Sequence, residues 1–270
     1  MPCRMPPTSS ERYAVVSCHV ERPLDDAVWR RFSALQARRP GGLAIAALIR
    51  PPDAAAGEHD DALWLERARE AAARAPLGHH THFTSPTHAR PTGGETGARV
   101  LREGAWLREQ GLVPTLFCGG GWYTDRSVAE ACADLGYADC TPRATRPAYL
   151  PPDAAWAELG APTVLRLDTA SNSLLQAGSR LPVIPTTHGV GDLVRALVRP
   201  GGLPARVHAY FHDTDLVSPM RRALIVNALR LLGRRRPAAD LDALAVDVRA
   251  AGAETTWEAV ARGGAAAGRA

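Results

Sequence analysis

Short apolar runs alternate with amphipathic stretches along most of this chain, and that alternation constrains its fold more than any other feature. Tyr13 to Cys18 (YAVVSC) reads as a buried strand, and Asp25 to Arg38 as a helix with Val28, Trp29, Phe32 and Leu35 on one face. Gly42 to Ile49 is the next strand, stopped by Pro51 and Pro52, and Asp60 to Arg74 the next helix. Pro76 to His80 and Leu112 to Phe117 continue the series, with a helix from Glu95 to Gln110 between them. A further helix ends near Leu135, where Gly136 is placed to stop it. Tyr137 to Thr141, Thr163 to Leu167, Leu181 to Pro185 and Arg206 to Phe211 read as extended, and Gly189 to Val198 and Pro219 to Leu232 as helices. Strand–helix repetition of this kind predicts an α/β fold with a largely parallel sheet and working residues at the C-terminal ends of the strands.

Composition narrows the chemistry. All 32 cationic residues are arginine, so a lysine Schiff base and a P-loop are both excluded. The net charge of +4 is spread among 28 acidic residues, so no nucleic-acid partner is expected; Arg234 to Arg236 reads as a helix end. No apolar run is long enough to span a membrane, and Met1 to Glu11 lacks a signal-type apolar segment. Cys3, Cys18, Cys118, Cys132 and Cys140 are scattered and odd in number, which favours free thiols in a reducing, cytoplasmic setting. The chain reads as one catalytic-type domain with its core at about residues 12–236, and residues 1–11 and 263–270 are expected to be flexible.

The nine histidines fall preferentially at expected strand ends. His80 and His82, separated by one residue on an extended segment, point to the same side and can reach one ion. His79 alternates away from them. His88 is a candidate third ligand, and Glu21, two residues after His19, a candidate carboxylate. The competing reading of His-Thr-His is a polar turn bonded to backbone. His212, followed by Asp213 and Asp215, suits a general acid whose tautomer is held by a carboxylate; alternatively those acids only cap a loop. His208 reads as core or as support for the site. In the loop Phe117 to Tyr123, Gly120 and Gly121 allow close approach of a ligand, and Trp122 and Tyr123 could stack on a flat face. A wide turn is the plain alternative, and Cys118 reads as a buried thiol.

The order of these pieces resembles the polysaccharide deacetylase family (NodB-like, carbohydrate esterase family four) from about Tyr13 to Arg235. Leu77 to His82 (LGHHTH) looks like its second motif, with His80 in the place of the first metal-binding histidine. The family's next histidine falls four residues on, where this chain has Thr84, so His82 or His88 would substitute. Phe117 to Tyr123 with SVAEACADLGY (Ser127 to Tyr137) is similar to the third motif, although Cys118 stands where an arginine buttresses the base. Leu181 to Pro185 looks like its leucine-proline stretch, and Tyr210 to Asp213 its final motif. The first motif departs most: Cys18-His19-Val20-Glu21 replaces an aspartate pair.

The resemblance implies a distorted (β/α) barrel of about seven parallel strands. It implies a divalent metal, zinc first with cobalt, nickel or manganese as alternatives, held by Glu21, His80, His82 and His88. His19 would act as base and His212 as acid, with Gly120, Gly121, Trp122, Tyr123 and Asp213 contacting substrate. The expected reaction is removal of an acetyl group from an N-acetylated amino sugar, a related small glycan or a natural-product intermediate. The altered first motif keeps two alternatives open: a different metal-dependent C–N or glycosidic hydrolase, and a non-catalytic sugar-binding scaffold.

Overall fold

The computed structural model describes residues 12–54, 57–83, 95–148, 150, 154–167 and 179–263. The expected ligand His88, the expected flexible end 1–11 and all but Gly263 of the other, 263–270, lie outside these residues. Strands β1 (Tyr13–Val20), β2 (Ile45–Ile49), β3 (Leu77–Thr81), β4 (Leu116–Gly119) and β5 (Ala138–Asp139) follow one another through helices. The helices are α1 (Asp26–Arg38), α2 (Asp61–Ala72), α3 (Thr96–Glu109) and α4 (Arg126–Asp134). Asp25, Asp60 and Asp125 cap α1, α2 and α4 by accepting first-turn N–H bonds. Then come β6 (Trp156–Ala157), β7 (Thr163–Arg166), β8 (Arg180–Val183), β9 (His188–Gly189), α5 (Val190–Val198), β10 (Arg206–His212) and α6 (Pro219–Arg235).

The structure continues past the expected core limit at Arg236, with α7 (Leu241–Ala251), β11 (Glu254–Thr256), α8 (Trp257–Val260) and β12 (Ala261–Arg262). Leu241, Leu244, Ala245 and Val248 pack with Tyr13, Val15 and Leu116 at the N-terminal ends of the strands. Because α7 is short and mixed in composition, its burial is set by tertiary contact more than by its own pattern. No helix among the described residues is long and apolar enough to cross a membrane.

Ten strands form one sheet in the order β11-β7-β8-β5-β4-β3-β2-β1-β10-β9, and every pairing is parallel except β7 with β8. On β1, Ala14, Val16, Cys18 and Val20 pack outward with α1, α2, α5 and α6, while Tyr13 and Val15 turn to the interior. Both faces are covered, which is why this strand reads as a continuous apolar run.

No ladder joins the ends of the sheet, yet the chain itself shows that the sheet curls. From Val183 to His188 the chain takes five steps, which reach about 18 Å at full extension. On a flat sheet β8 and β9 would stand seven spacings, about 34 Å, apart. The connecting segment bonds on both sides: Ile184 N–H donates to Asp139 O (2.9 Å) and Thr186 Oγ1 to Cys140 O (2.7 Å). Thr187 N–H donates to His208 O (3.0 Å). The result is an α/β barrel whose seam is bridged by one extended segment rather than by a continuous ladder.

Candidate functional site

The C-terminal ends of β1, β3 and β10 bring His19, Glu21, His80, His82 and His212 together. The register explains it: His19 lies opposite His212 across the β1–β10 pairing, and both strands alternate so that these residues face inward. His80 shares the interior face through the β3–β4 pairing, where it lies opposite Cys118. The i, i+2 spacing puts His82 beside it, and the two rings lie 5.0 Å apart.

Glu21 is the hub. Its carboxylate lies 3.1 Å from His80 Nε2, 3.0 Å from His82 Nε2 and 3.9 Å from His212 Nε2. His80 Nδ1 is 2.7 Å from the Cys118 carbonyl oxygen. A carbonyl only accepts, so Nδ1 carries the proton, and the Nε2 lone pair of neutral His80 faces a carboxylate oxygen. Two acceptors at that distance repel unless a cation lies between them. Burial lowers the pKa of His80 although Glu21 opposes it, which makes a proton a costly bridge. A divalent ion suits this nitrogen and oxygen donor set. His19, Glu21 and His212 form an overlapping group, as do His19, His80 and Cys118; the ligand atoms within each group lie within 4.8 Å of one another.

His19 is 3 % exposed, and its Nε2 has no hydrogen-bond partner among the described residues. Its ring stacks on His80 at 4.6 Å and lies 5.2 Å from that of His212. Burial, then repulsion from His80 and His212, holds its pKa well below the ordinary histidine value. Glu21 has its pKa held well below the ordinary carboxylate value: burial opposes this, but in acid the protonated His80 and His82 outweigh it through their charges and hydrogen bonds. The His212 side chain is 39 % exposed and 3.8 Å from Asp215. Partial burial pushes its pKa down, but Asp215, Glu21 and Asp213 bring it above the ordinary value.

Several expected site residues serve otherwise. Asp213 is fully buried and accepts backbone N–H groups of Arg22 (2.9 Å) and Thr214 (2.7 Å). Both oxygens are thereby committed to tying the β1 and β10 ends together, and burial raises its pKa to about 6. Asp215, not Asp213, pairs with His212. Tyr123 turns away: its ring packs on Phe83 (5.3 Å) and its hydroxyl donates to Asp125 (2.6 Å). Trp122 is 6 % exposed and wedged 5.5 Å from the His19 ring, so it is no open stacking platform. Gly120 and Gly121 shape a 3-10 turn (Gly120–Trp122), with Gly121 at φ +62°. The Gly119 N–H is spent on Thr141 and the Tyr123 N–H on Gly120, which leaves fewer donors for an oxyanion than the glycine count suggests.

His79 points outward to Glu103 (2.9 Å), with Thr81 and Arg99 on the same carboxylate, a brace that fixes β3 from behind. His208 is buried below the site with Nε2 2.9 Å from Ser17 Oγ, and burial lowers its pKa to about 4. Cys118 is buried and its thiol pKa is pushed well up by that burial. Sequence reasoning missed Arg50, which is 3 % exposed at the end of β2. It donates to the Glu21 main-chain oxygen (3.0 Å) and Glu58 (2.6 Å), and its Nε lies 4.0 Å from the Glu21 carboxylate. Counting by twos along β2 from Ala46 through Leu48 would have pointed to Arg50.

No family model and no curated protein matches the chain. Among solved structures, a candidate polysaccharide deacetylase from Mycobacterium smegmatis superposes with a TM-score of 0.58 at 14% identity, covering 93% of this chain and 95% of that one. The likeness is one of fold. A 4-alpha-glucanotransferase from Thermococcus litoralis, with a TM-score of 0.48 at 12% identity over 92% of this chain and 40% of that one, is too loose a match to bear on it.

Proposed function

We propose that this chain is a metal-dependent deacetylase, one catalytic-type domain that hydrolyses the acetamido group of an N-acetylated amino sugar or a related small glycan or natural-product intermediate. The observation that carries this reading is the Glu21 carboxylate facing the Nε2 atoms of both His80 and His82 at 3.0–3.1 Å. Glu21, His80 and His82 would hold the ion, zinc by the character of the donors, and when bound it supplies a Lewis acid and a water of lowered pKa.

The chain's own residues do the rest. His19, neutral and with Nε2 unpartnered among the described residues, orients the attacking water and takes its proton as the bond from its oxygen to the acetyl carbon forms. His212, partly exposed at the mouth and held beside Asp215, gives its proton to the leaving amine nitrogen as the C–N bond breaks. Arg50 fixes Glu21 through its main-chain oxygen and balances its charge. The fold likeness to a candidate deacetylase of matching length supports the same reading.

The test is metal content of the purified protein, beside a His80→Ala/His82→Ala double variant, followed by acetate release from a panel of acetylated amino sugars. Near-stoichiometric ion that disappears in the variant, with acetate released by the wild type alone, is the expected result. A wild type that stays empty after reconstitution sinks the metal mechanism. A loaded protein that releases no acetate from any sugar moves the reaction to another bond.

A further inference from the structure

Arg143, just after β5, is half-buried. Its guanidinium carbon lies 4.5 Å over the Trp122 ring and 5.6 Å from the centre of the Tyr210 ring. Those two rings pack edge to face at 4.7 Å, and each touches His19, Trp122 at 5.5 Å and Tyr210 at 5.1 Å. The guanidinium therefore stands one aromatic ring away from the histidines at the centre of the site. Its main chain is pinned by hydrogen bonds on both sides: its N–H donates to Ala157 O (3.2 Å) and its own oxygen accepts from Leu159 N–H (2.8 Å).

Arg143 makes no ion pair with any described residue; its side-chain partners are the two rings and the Tyr210 hydroxyl. Taking a guanidinium partly out of water without a counter-charge is costly, and aromatic faces offset only part of that cost. The arrangement also uses backbone strain. Trp122 sits at φ +62°, a region that side chains other than glycine rarely adopt, and it follows Gly121 at the same angle. That left-handed turn puts the indole between His19 and Arg143. A rigid fork of N–H donors, part-exposed over two rings and without a carboxylate partner among the described residues, matches a planar or tetrahedral oxyanion.

We propose that Arg143 is a specificity residue that binds a carboxylate or phosphate carried by the substrate, so that anionic amino-sugar derivatives are preferred over neutral glycans. The sugar part of this inference rests on the deacetylase reading above, but its test reads binding and needs no turnover.

The experiment is calorimetric titration of the metal-loaded protein with three probes: N-acetylglucosamine, its phosphate ester and N-acetylmuramic acid. The wild type, Arg143→Gln and Arg143→Lys are compared, with thermal melts as folding controls. The expected result is an affinity for at least one anionic sugar on the order of tenfold or more above the neutral one. That preference falls to near unity in Arg143→Gln and to an intermediate value in Arg143→Lys, which keeps the charge and loses the fork. The phosphate and carboxylate arms then say which oxyanion is read. A wild type without anionic preference overturns the inference, as does a folded Arg143→Gln that keeps the full preference. If Arg143→Gln does not fold, an unchanged ratio in Arg143→Lys overturns it equally. Anionic preference that depends on Arg143 without acetate release supports the anion site while refuting the deacetylase reading.

Discussion

Asp139 offers a quantitative check on the interior of this fold. It lies on β5, fully buried, with Oδ1 accepting the Thr141 N–H at 2.8 Å and Oδ2 without a hydrogen-bond partner among the described residues. Burial raises its pKa to about 6, against the pull of the Thr141 hydrogen bonds. The unfolded chain has the ordinary value of 3.8. Below about pH 4 both states are protonated and the carboxyl costs nothing; as the pH rises the unfolded state releases its proton first, so stability falls until the pH passes about 6. The gap of roughly two pH units corresponds to about 3 kcal/mol. Asp139→Asn keeps an oxygen for the Thr141 N–H and cannot ionise, although its new NH2 is an unpaired donor costing about 1–3 kcal/mol at every pH. The difference in unfolding free energy, variant minus wild type, should therefore rise by about 2.4 kcal/mol from about pH 4 to about pH 7, whatever its starting sign. Urea unfolding of both proteins across that range measures it. A difference that stays flat, or that falls with pH, refutes the argument that this carboxyl is ionised in a dry, unpaired setting.

Two further outcomes are expected. Arg50→Gln leaves Glu21 and Glu58 without the cation they share, and urea unfolding should show a loss of about 3 kcal/mol; no loss would show that Arg50 does not balance these acids. His212→Asn should lower acetate release by on the order of 10²- to 10⁴-fold. Because the His212 pKa is raised, the wild-type rate should fall as pH climbs past that pKa and the acid form is lost, and this alkaline limb should vanish in the variant; a limb that persists would assign it to another group.

Much of this was legible in the sequence because parity rules are local. Alternation alone put His80 and His82 on one side and His79 on the other, and the β1 end placed Glu21 near them. Arg50 follows the same rule on β2, but the two prolines after it made the stretch read as a loop. Arg143 had no such signal: it lies beyond a two-residue strand, and only long-range packing brings it over Trp122 and Tyr210. Asp213 and Asp215 were inseparable by pattern, because which carboxylate is spent on backbone depends on Arg22, a residue 191 positions away. The antiparallel β7–β8 pair and α7 likewise depend on long-range contacts that no window of neighbouring residues contains.

The seam bridged by residues 184–187 also sets a schedule. The Glu21, His80 and His82 cluster sits on β1 and β3, two strands from the first third of the chain with only β2 between them. His212 reaches it through β10, whose ladder to β1 joins Tyr13 to Arg206. Contacts of that sequence separation form slowly, because the intervening loop must close first. During synthesis the three ligand candidates are thus available while the wall carrying the proton donor does not yet exist. On the metal-dependent reading proposed above, a nascent chain holds its candidate ion ligands before β10 adds His212.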